Sequence, residues 1–231
     1  MAPKIVAMLP VRNESGRYLP RVLDHLCGWV DEIVVLDDGS TDGTSRLCLA
    51  YPKVVTLARN PENLFATNEA LVRACLWELA VRRNPRWLLA IDADEVFEDA
   101  IVQEIEGLTQ QKDYHAIEFR LFDFWGGETH YRVDGGWNPW PRFVRFLVRY
   151  DPSRPVTWPQ VPIHCGRWPL AYRYGLPAYQ SHIRVKHLGW ANPAEHRQKY
   201  AFYARWDLEL YGSIKPHTAS ILDPPILEAW H

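Results

Sequence analysis

The stretch Glu32-Ile33-Val34-Val35-Leu36-Asp37-Asp38-Gly39-Ser40-Thr41-Asp42-Gly43-Thr44 begins as an apolar, β-branched run and ends in an acidic loop with two glycines. A run of that kind reads as a buried strand, and the loop marks its end. Upstream, Leu19, Val22, Leu23 and Leu26 recur at helical spacing, and Lys4 to Leu9 is another strand-forming run, closed by Pro10 and the polar Arg12-Asn13-Glu14-Ser15-Gly16. Together these make a β-α-β unit. Downstream the alternation repeats, with a short helix over about 44–50, a strand over 54–57, a long helix over about 65–83, a strand over 87–91 and a helix near 99–108. Strands alternating with helices predict an α/β fold with a mostly parallel sheet and helices on both faces. In such sheets ligands bind beyond the carboxyl ends of the strands, and three of the strand ends here are polar loops, 10–16, 37–44 and 92–95.

After residue 112 the regularity fades. Strands are expected over 114–122 and 143–148, separated by Gly-, Trp- and Pro-rich segments, and 8 of the 11 tryptophans and 12 of the 18 prolines lie beyond residue 120. This half reads as ordered loops built on the far edge of the sheet. A helix opens at Asn192-Pro193-Ala194-Glu195, with Asn as cap, Pro in the first turn and Glu at the capping-box position, and runs to about Tyr211. With no linker between the halves, residues 1–231 are expected to form a single domain.

Composition narrows the function. The chain has 231 residues, 47% hydrophobic and 23% charged, which excludes disordered, collagen-like and coiled-coil classes. Its 26 basic residues against 28 acidic ones give no broad positive field, so nucleic acid is not an expected partner. No stretch has the 18 or so apolar residues of a membrane span, and the opening segment does not read as a signal peptide. Cys27, Cys48, Cys75 and Cys165 are scattered without a Cys-x-x-Cys pair, which fits a reducing, cytoplasmic setting.

The two acidic loops carry the chemistry. A calcium loop starting at Asp38 would need a bidentate Glu at its twelfth position, where Leu49 stands, so an EF-hand is excluded. The loop could be an ordinary turn capped by Asp42 or Thr44 ahead of a helix, or its acids could accept hydrogen bonds from a nucleobase or ribose at the mouth of the sheet. In Asp92-Ala93-Asp94-Glu95, strand-end geometry would put Asp92 and Asp94 on one side, roughly 7 Å apart. One metal-nucleotide pair could engage both, and paired carboxylates suit Mg or Mn better than zinc. The alternative is an acid-rich helix N-terminus favoured by the helix dipole.

Pro10-Val11-Arg12-Asn13-Glu14 after the first strand, Asp37 to Thr44 after the second, Arg59-Asn60 after the third and Asp92-Ala93-Asp94-Glu95 after the fourth resemble the family-2 type glycosyltransferases of the GT-A fold. The resemblance covers roughly the first 110 residues and rests on the four motifs occurring in order. It implies a GT-A-type, Rossmann-like fold, with residues 1–112 as the nucleotide-sugar-binding half and 113–231 as the acceptor-binding half. It implies a hexosyl transfer from a nucleoside diphosphate sugar, with a UDP-sugar as the expected donor, to a glycan or other small hydroxyl acceptor. Inversion at the anomeric carbon and dependence on Mn or Mg are implied with it. Carried over position by position, Pro10, Val11, Arg12 and Glu14 would line the nucleoside pocket, Asp38 would read the base, Arg59 would lie near the nucleotide, Asp92 near the ribose or sugar, and Asp94 on the metal.

In the second half, His187 in Val185-Lys186-His187-Leu188-Gly189-Trp190 resembles the late metal-ligand histidine of the family, with His182, His164, His130 and His196 as competitors. An inverting transfer also needs a base facing the acceptor hydroxyl. Related enzymes carry an acid after a Gly-rich aromatic loop, but in Asp134-Gly135-Gly136-Trp137-Asn138-Pro139-Trp140 the expected acidic position is Trp140. Asp134 is therefore the candidate base, with Glu128 and His164 as fallbacks and an Asp-Gly turn as the alternative. Most tryptophans are expected in the core; Trp125, Trp137, Trp140 and Trp158 are candidates to stack on a sugar. Arg142, Arg145 and Arg149 read as a solvated sheet edge rather than a site for a phosphorylated acceptor. Two rivals stay open. A sugar-phosphate nucleotidylyltransferase would need a Gly-rich phosphate loop, whereas 10–16 holds one glycine; a non-catalytic carbohydrate-binding protein would bind sugar without metal or nucleotide. Enzymes of surface-glycan and lipopolysaccharide-core synthesis are the nearest analogy, and peripheral membrane contact stays open for a lipid-linked acceptor.

Overall fold

The computed structural model describes residues 4–231. Alternate side chains of each early strand enter different cores, as a two-residue period demands. In β1 (Ile5–Val11), Ile5, Ala7, Leu9 and Val11 face one core while Val6 and Met8 face the other. The same division holds in β2 (Glu32–Asp38) and β4 (Trp87–Ala90), and β3 (Val54–Asn60) pairs on the outer side of β2. On the first face lie α1 (Leu19–Leu26), α2 (Thr44–Leu49) and α4 (Ala100–Gln110), contributing Leu19, Leu23, Cys48, Ile101 and Ile105. On the second face α3 (Glu69–Val81) buries Val72, Leu76 and Trp77. This helix starts later than its apolar pattern suggests, because Asn68 caps it by accepting from Leu71 N at 3.0 Å.

The remaining elements are β5 (Glu95–Phe97), β6 (Ala116–Asp123), β7 (His130–Arg132), β8 (Phe143–Arg149), α5 (Leu170–Arg173), β9 (Ala178–His187), α6 (His196–Tyr211), α7 (Pro216–Ala219) and β10 (Leu227–Ala229). One eight-stranded sheet, in the order β3-β2-β1-β4-β8-β6-β9-β5, takes strands from both halves of the chain, and β7 and β10 form a separate antiparallel pair. Strands β1 to β4 are mutually parallel; β8 runs against β4 and against β6, so β6 and its parallel neighbour β9 point the same way as β1 to β4. Only β8 and β5 run in reverse. The carboxyl ends of β1, β2, β4, β6 and β9 thus share one edge of the sheet. The first residue of β5 joins that edge because β5 is antiparallel to β9.

Two expectations are corrected. The 92–95 motif leads into β5 and not into a helix, so a helix dipole does not account for its acids. Arg145 and Arg149 do not form a solvated edge, because β8 is an interior strand: Arg145 pairs with Glu118 at 2.9 Å, and Arg149 lies over the Trp87 ring at 4.7 Å; Arg142, just before the strand, pairs with Asp123 at 3.0 Å. Most tryptophans are core, including Trp125, Trp137 and Trp158, whereas Trp140 is 47% exposed. Among the described residues no helix is long and apolar enough to cross a membrane.

Candidate active site

The loops after β1 and β2 are laced together by their short polar side chains. Asn13, in the left-handed region at φ 54°, donates its N–H to Ser40 Oγ at 2.9 Å and accepts from Thr41 N at 2.8 Å. Glu14 N donates to Thr44 Oγ1 at 2.7 Å. Asp38 is 2% exposed, and its carboxylate accepts from Asn60 Nδ2 at 2.7 Å, Leu64 N at 3.1 Å and Phe65 N at 2.8 Å. It therefore anchors the 60–65 loop beside this edge. Gly39 is required twice over: its φ is +75°, and a Cβ there would lie 2.7 Å from the Glu62 carbonyl carbon. Pro10 is half-buried, Val11 buried, and Arg12 and Arg59 exposed; Arg59 donates to the Ser40 carbonyl.

Glu14 stands between this loop and the second half. Its carboxylate is 3.1 Å from Arg17 Nε, and Arg17 also pairs with Glu195, before α6, at 2.6 and 3.0 Å. Burial raises the Glu14 pKa to about 7; Arg17 opposes the shift and the nearby Asp94 adds to it.

Asp92 is held by two arginines that sequence reasoning missed. Arg73, buried on α3, donates to it at 2.8 and 3.4 Å and lies 3.4 Å from Glu69; Arg167 is 3.4 Å from Asp92 and forms a bidentate pair with Glu95. Burial works against the Asp92 charge, but Arg73 and then Arg167 outweigh it and keep the carboxyl well below its usual range. Arg73 had no local signal, since it sits in an apolar helix pattern and only the tertiary fold brings it to the end of β4.

Asp94, His187 and Asp123 meet where β5, β9 and β6 lie side by side. Glu95 is opposite His187 in one register and Asp123 opposite His187 in the other, so three sequence-distant residues are adjacent. His187 Nδ1 is 2.5 Å from Asp123 Oδ1, and Nε2 is 3.7 Å from Asp94 Oδ2. Burial alone would lower the His187 pKa, but Asp94 and the hydrogen bond to Asp123 push it up to about 9. Arg142 Nη2 holds the other Asp123 oxygen at 3.0 Å. Asp123 was also missed, although a carboxylate at the end of an expected strand is the very signal that singled out Asp38 and Asp92.

The gap between His187 Nε2 and Asp94 Oδ2 is wide enough that both atoms could hold one cation. Two ligand atoms at roughly 2.1 Å from one ion can be up to about 4.2 Å apart, and these are 3.7 Å apart. Beside them Gly189 has only a hydrogen; a Cβ there would come within 2.6 Å of His187 Nε2 and 2.7 Å of Asp94 Oδ2. Among the described residues no group of three or more His, Cys, Asp or Glu side chains converges to enclose a metal. A two-ligand seat suits an ion whose remaining positions are filled by diphosphate and water.

Both oxygens of Asp134, the candidate base, are engaged by neighbouring groups. Its two oxygens accept from Arg132 Nε and Nη2 at 2.8 and 2.7 Å, one also accepts from Ile226 N at 2.9 Å, and the Arg132 pairing lowers its pKa. The carboxylate ties the turn after β7 to the C-terminal segment. Glu128 pairs with Arg21 on the surface at 2.7 Å. His164 is exposed, adopts φ 60° and stacks on Tyr203 of α6 with ring centroids 5.7 Å apart. Burial raises the Tyr203 pKa to about 12, with Glu69, Asp94, Asp92 and Asp123 adding to the shift.

Residues 7–161 match the sequence model of Glycosyl transferase family 2. The chain belongs to this family. Its similarity to two uncharacterized mycobacterial proteins, Rv3786c of Mycobacterium tuberculosis and Mb3815c of Mycobacterium bovis, is 25% identity over 217 residues, covering 88% of this chain and 51% of each relative. The chain thus spans about half the length of the curated relatives it matches. Among solved structures, S. aureus TarS superposes with a TM-score of 0.57 at 14% identity, over 95% of this chain and 42% of that one. TarS 1-349 in complex with UDP-GlcNAc superposes with a TM-score of 0.52 at 15% identity, over 95% of this chain and 70% of that one. These likenesses agree with the sheet order in giving this family 2 member a GT-A-type, Rossmann-like α/β fold.

Proposed function

We propose that this chain transfers a glycosyl group from a nucleoside diphosphate sugar to a hydroxyl acceptor, with inversion and with a divalent cation held by Asp94 and His187. The observation that carries the reading is the facing pair of Asp94 and His187 beside Gly189, on the edge where the strand-end loops of a family 2 fold converge. A UDP-sugar donor is supported by the TarS structures in complex with UDP-GlcNAc and with UDP.

In this reading Pro10, Val11, Arg12 and Glu14 line the nucleoside pocket. Asp38 shapes that pocket through the 60–65 loop, and Arg59 supplies an exposed cation near the nucleotide. Asp92, held ionised by Arg73 and Arg167, accepts hydrogen bonds from donor hydroxyls. A bound divalent cation supplies counter-charge to the leaving diphosphate. As the acceptor oxygen bonds to the anomeric carbon and the carbon–oxygen bond to the diphosphate breaks, the acceptor proton passes to His164. We assign that role to His164 because its ring is exposed next to Tyr203, whereas the Asp134 carboxylate is occupied by Arg132 and Ile226.

The test is thermal-shift binding of nucleoside diphosphates with and without Mn, on the wild type and on Asp94→Ala. Ligand binding to the folded state alone raises Tm. One nucleotide should raise it, with Mn enlarging the shift only when Asp94 is intact. A folded wild type that ignores every nucleotide but binds sugars would overturn the proposal in favour of carbohydrate binding.

A further inference from the structure

A histidine that binds a cation through Nε2 needs its lone pair on that nitrogen and its ring turned toward the ion. Both are set by what the other nitrogen touches. Here Nδ1 faces Asp123 Oδ1 at 2.5 Å, and an ionised carboxylate can only accept, so Nδ1 carries the proton of that hydrogen bond. In the neutral ring this leaves the Nε2 lone pair directed at the gap shared with Asp94.

Asp123 is itself fixed. Its side chain is 5% exposed, its strand position is opposite His187, and Arg142 holds its second oxygen at 3.0 Å. Arg142 also donates to the Gly136 carbonyl at 3.4 Å, within the Gly-rich loop of the second half. A chain of contacts therefore runs from that loop through Arg142 and Asp123 to His187. Other features of the molecule lack this directedness. The clip from Glu14 through Arg17 to Glu195 joins two segments, and the cation–π stack of Arg184 on Trp230 seats the C-terminal end.

We propose that Asp123 is a positioning residue for the cation seat, fixing the tautomer and orientation of His187, and that Arg142 couples this seat to the loop at 135–142. The inference rests on the reading of Asp94 and His187 as cation ligands, and the experiment separates the two. Mn binding is measured by electron paramagnetic resonance with UDP present, on protein labelled with 15N-histidine, so that nitrogen coupling to bound Mn reports histidine ligation. The wild type should bind Mn with nitrogen coupling, and His187→Ala should abolish the coupling.

Asp123→Ala should weaken Mn binding about 10- to 100-fold and reduce the nitrogen coupling, as loss of an outer-shell partner does. Asp123→Asn, which keeps the shape and an acceptor oxygen, should fall between the two and guards against a folding defect in the alanine variant. Arg142→Gln should give a smaller loss in the same direction. Wild-type affinity and coupling in both folded Asp123 variants would overturn the inference while leaving the reading of Asp94 and His187 intact. A wild type that binds no Mn in the presence of UDP would overturn that reading, and the role of Asp123 with it.

Discussion

At the scale of single residues, Gly189 is the sharpest probe of the site. Its backbone is outside the left-handed region, so alanine meets no conformational penalty there, yet the added methyl would sit within 2.7 Å of both Asp94 Oδ2 and His187 Nε2. Gly189→Ala should leave the cooperative unfolding transition in place while removing the Mn-dependent part of the nucleotide thermal shift. Retention of that shift would show that the cation lies elsewhere. Glu14 gives a prediction in pH. Its folded pKa of about 7 is above the ordinary glutamate value of 4.5, so the folded state binds the proton more tightly; the stability this contributes is complete below about 4.5 and is lost as pH rises through about 7. The raised His187 acts in the same direction between 6.5 and about 9, so the variant must be compared with wild type at each pH. Urea unfolding midpoints between pH 4.5 and 7 should decline less in Glu14→Gln than in wild type.

At the scale of elements, the link between α3 and the end of β4 outweighs the surface pairs. Arg73 has a side-chain exposure of 7% and stands between Asp92 and Glu69, so Arg73→Ala leaves Glu69 without its cation and Asp92 with Arg167 alone, and should cost about 3 kcal/mol. Arg21→Ala breaks a pair whose partners are 51% and 43% exposed and should cost no more than ~1 kcal/mol. Equal urea midpoints for the two variants would refute this ranking. The same contrast explains what could be read without coordinates. β1 to β4 and the helices between them were legible because each carries its own periodicity and ends in a loop of marked composition. β5 was not, because three residues, Glu95 to Phe97, are too few to show a period. The interior position of β8 was not legible either, since its arginines alternate with apolar residues as those of an exposed strand would, and only pairing with β4 and β6 buries them. For the proposed site, the candidate residues that follow strands in the first half came from local motifs, whereas the contacts of Arg73, Asp123 and Arg167 depend on which elements become neighbours.

At the scale of the whole molecule, the acidic edge is a product of strand direction. Six strands run one way, and β5 runs in reverse at the far end of the sheet, which brings the residue just before it to the same edge as the last residue of β9. The two proposed cation ligands are thus joined by the closing strand pair and not by any local motif, with Asp94 and His187 separated by 93 residues in sequence. Contacts between such distant segments form slowly because a long loop must close first. On refolding, helical signal should therefore return before the protein regains its Mn-dependent response to nucleotide, as followed by circular dichroism and by a fluorescent nucleotide. The proposed site is then a clock for the chain: it can report only that the last strands have found each other, and a protein that has built the loops after β1 and β2 but not joined β9 to β5 would not bring Asp94 to His187.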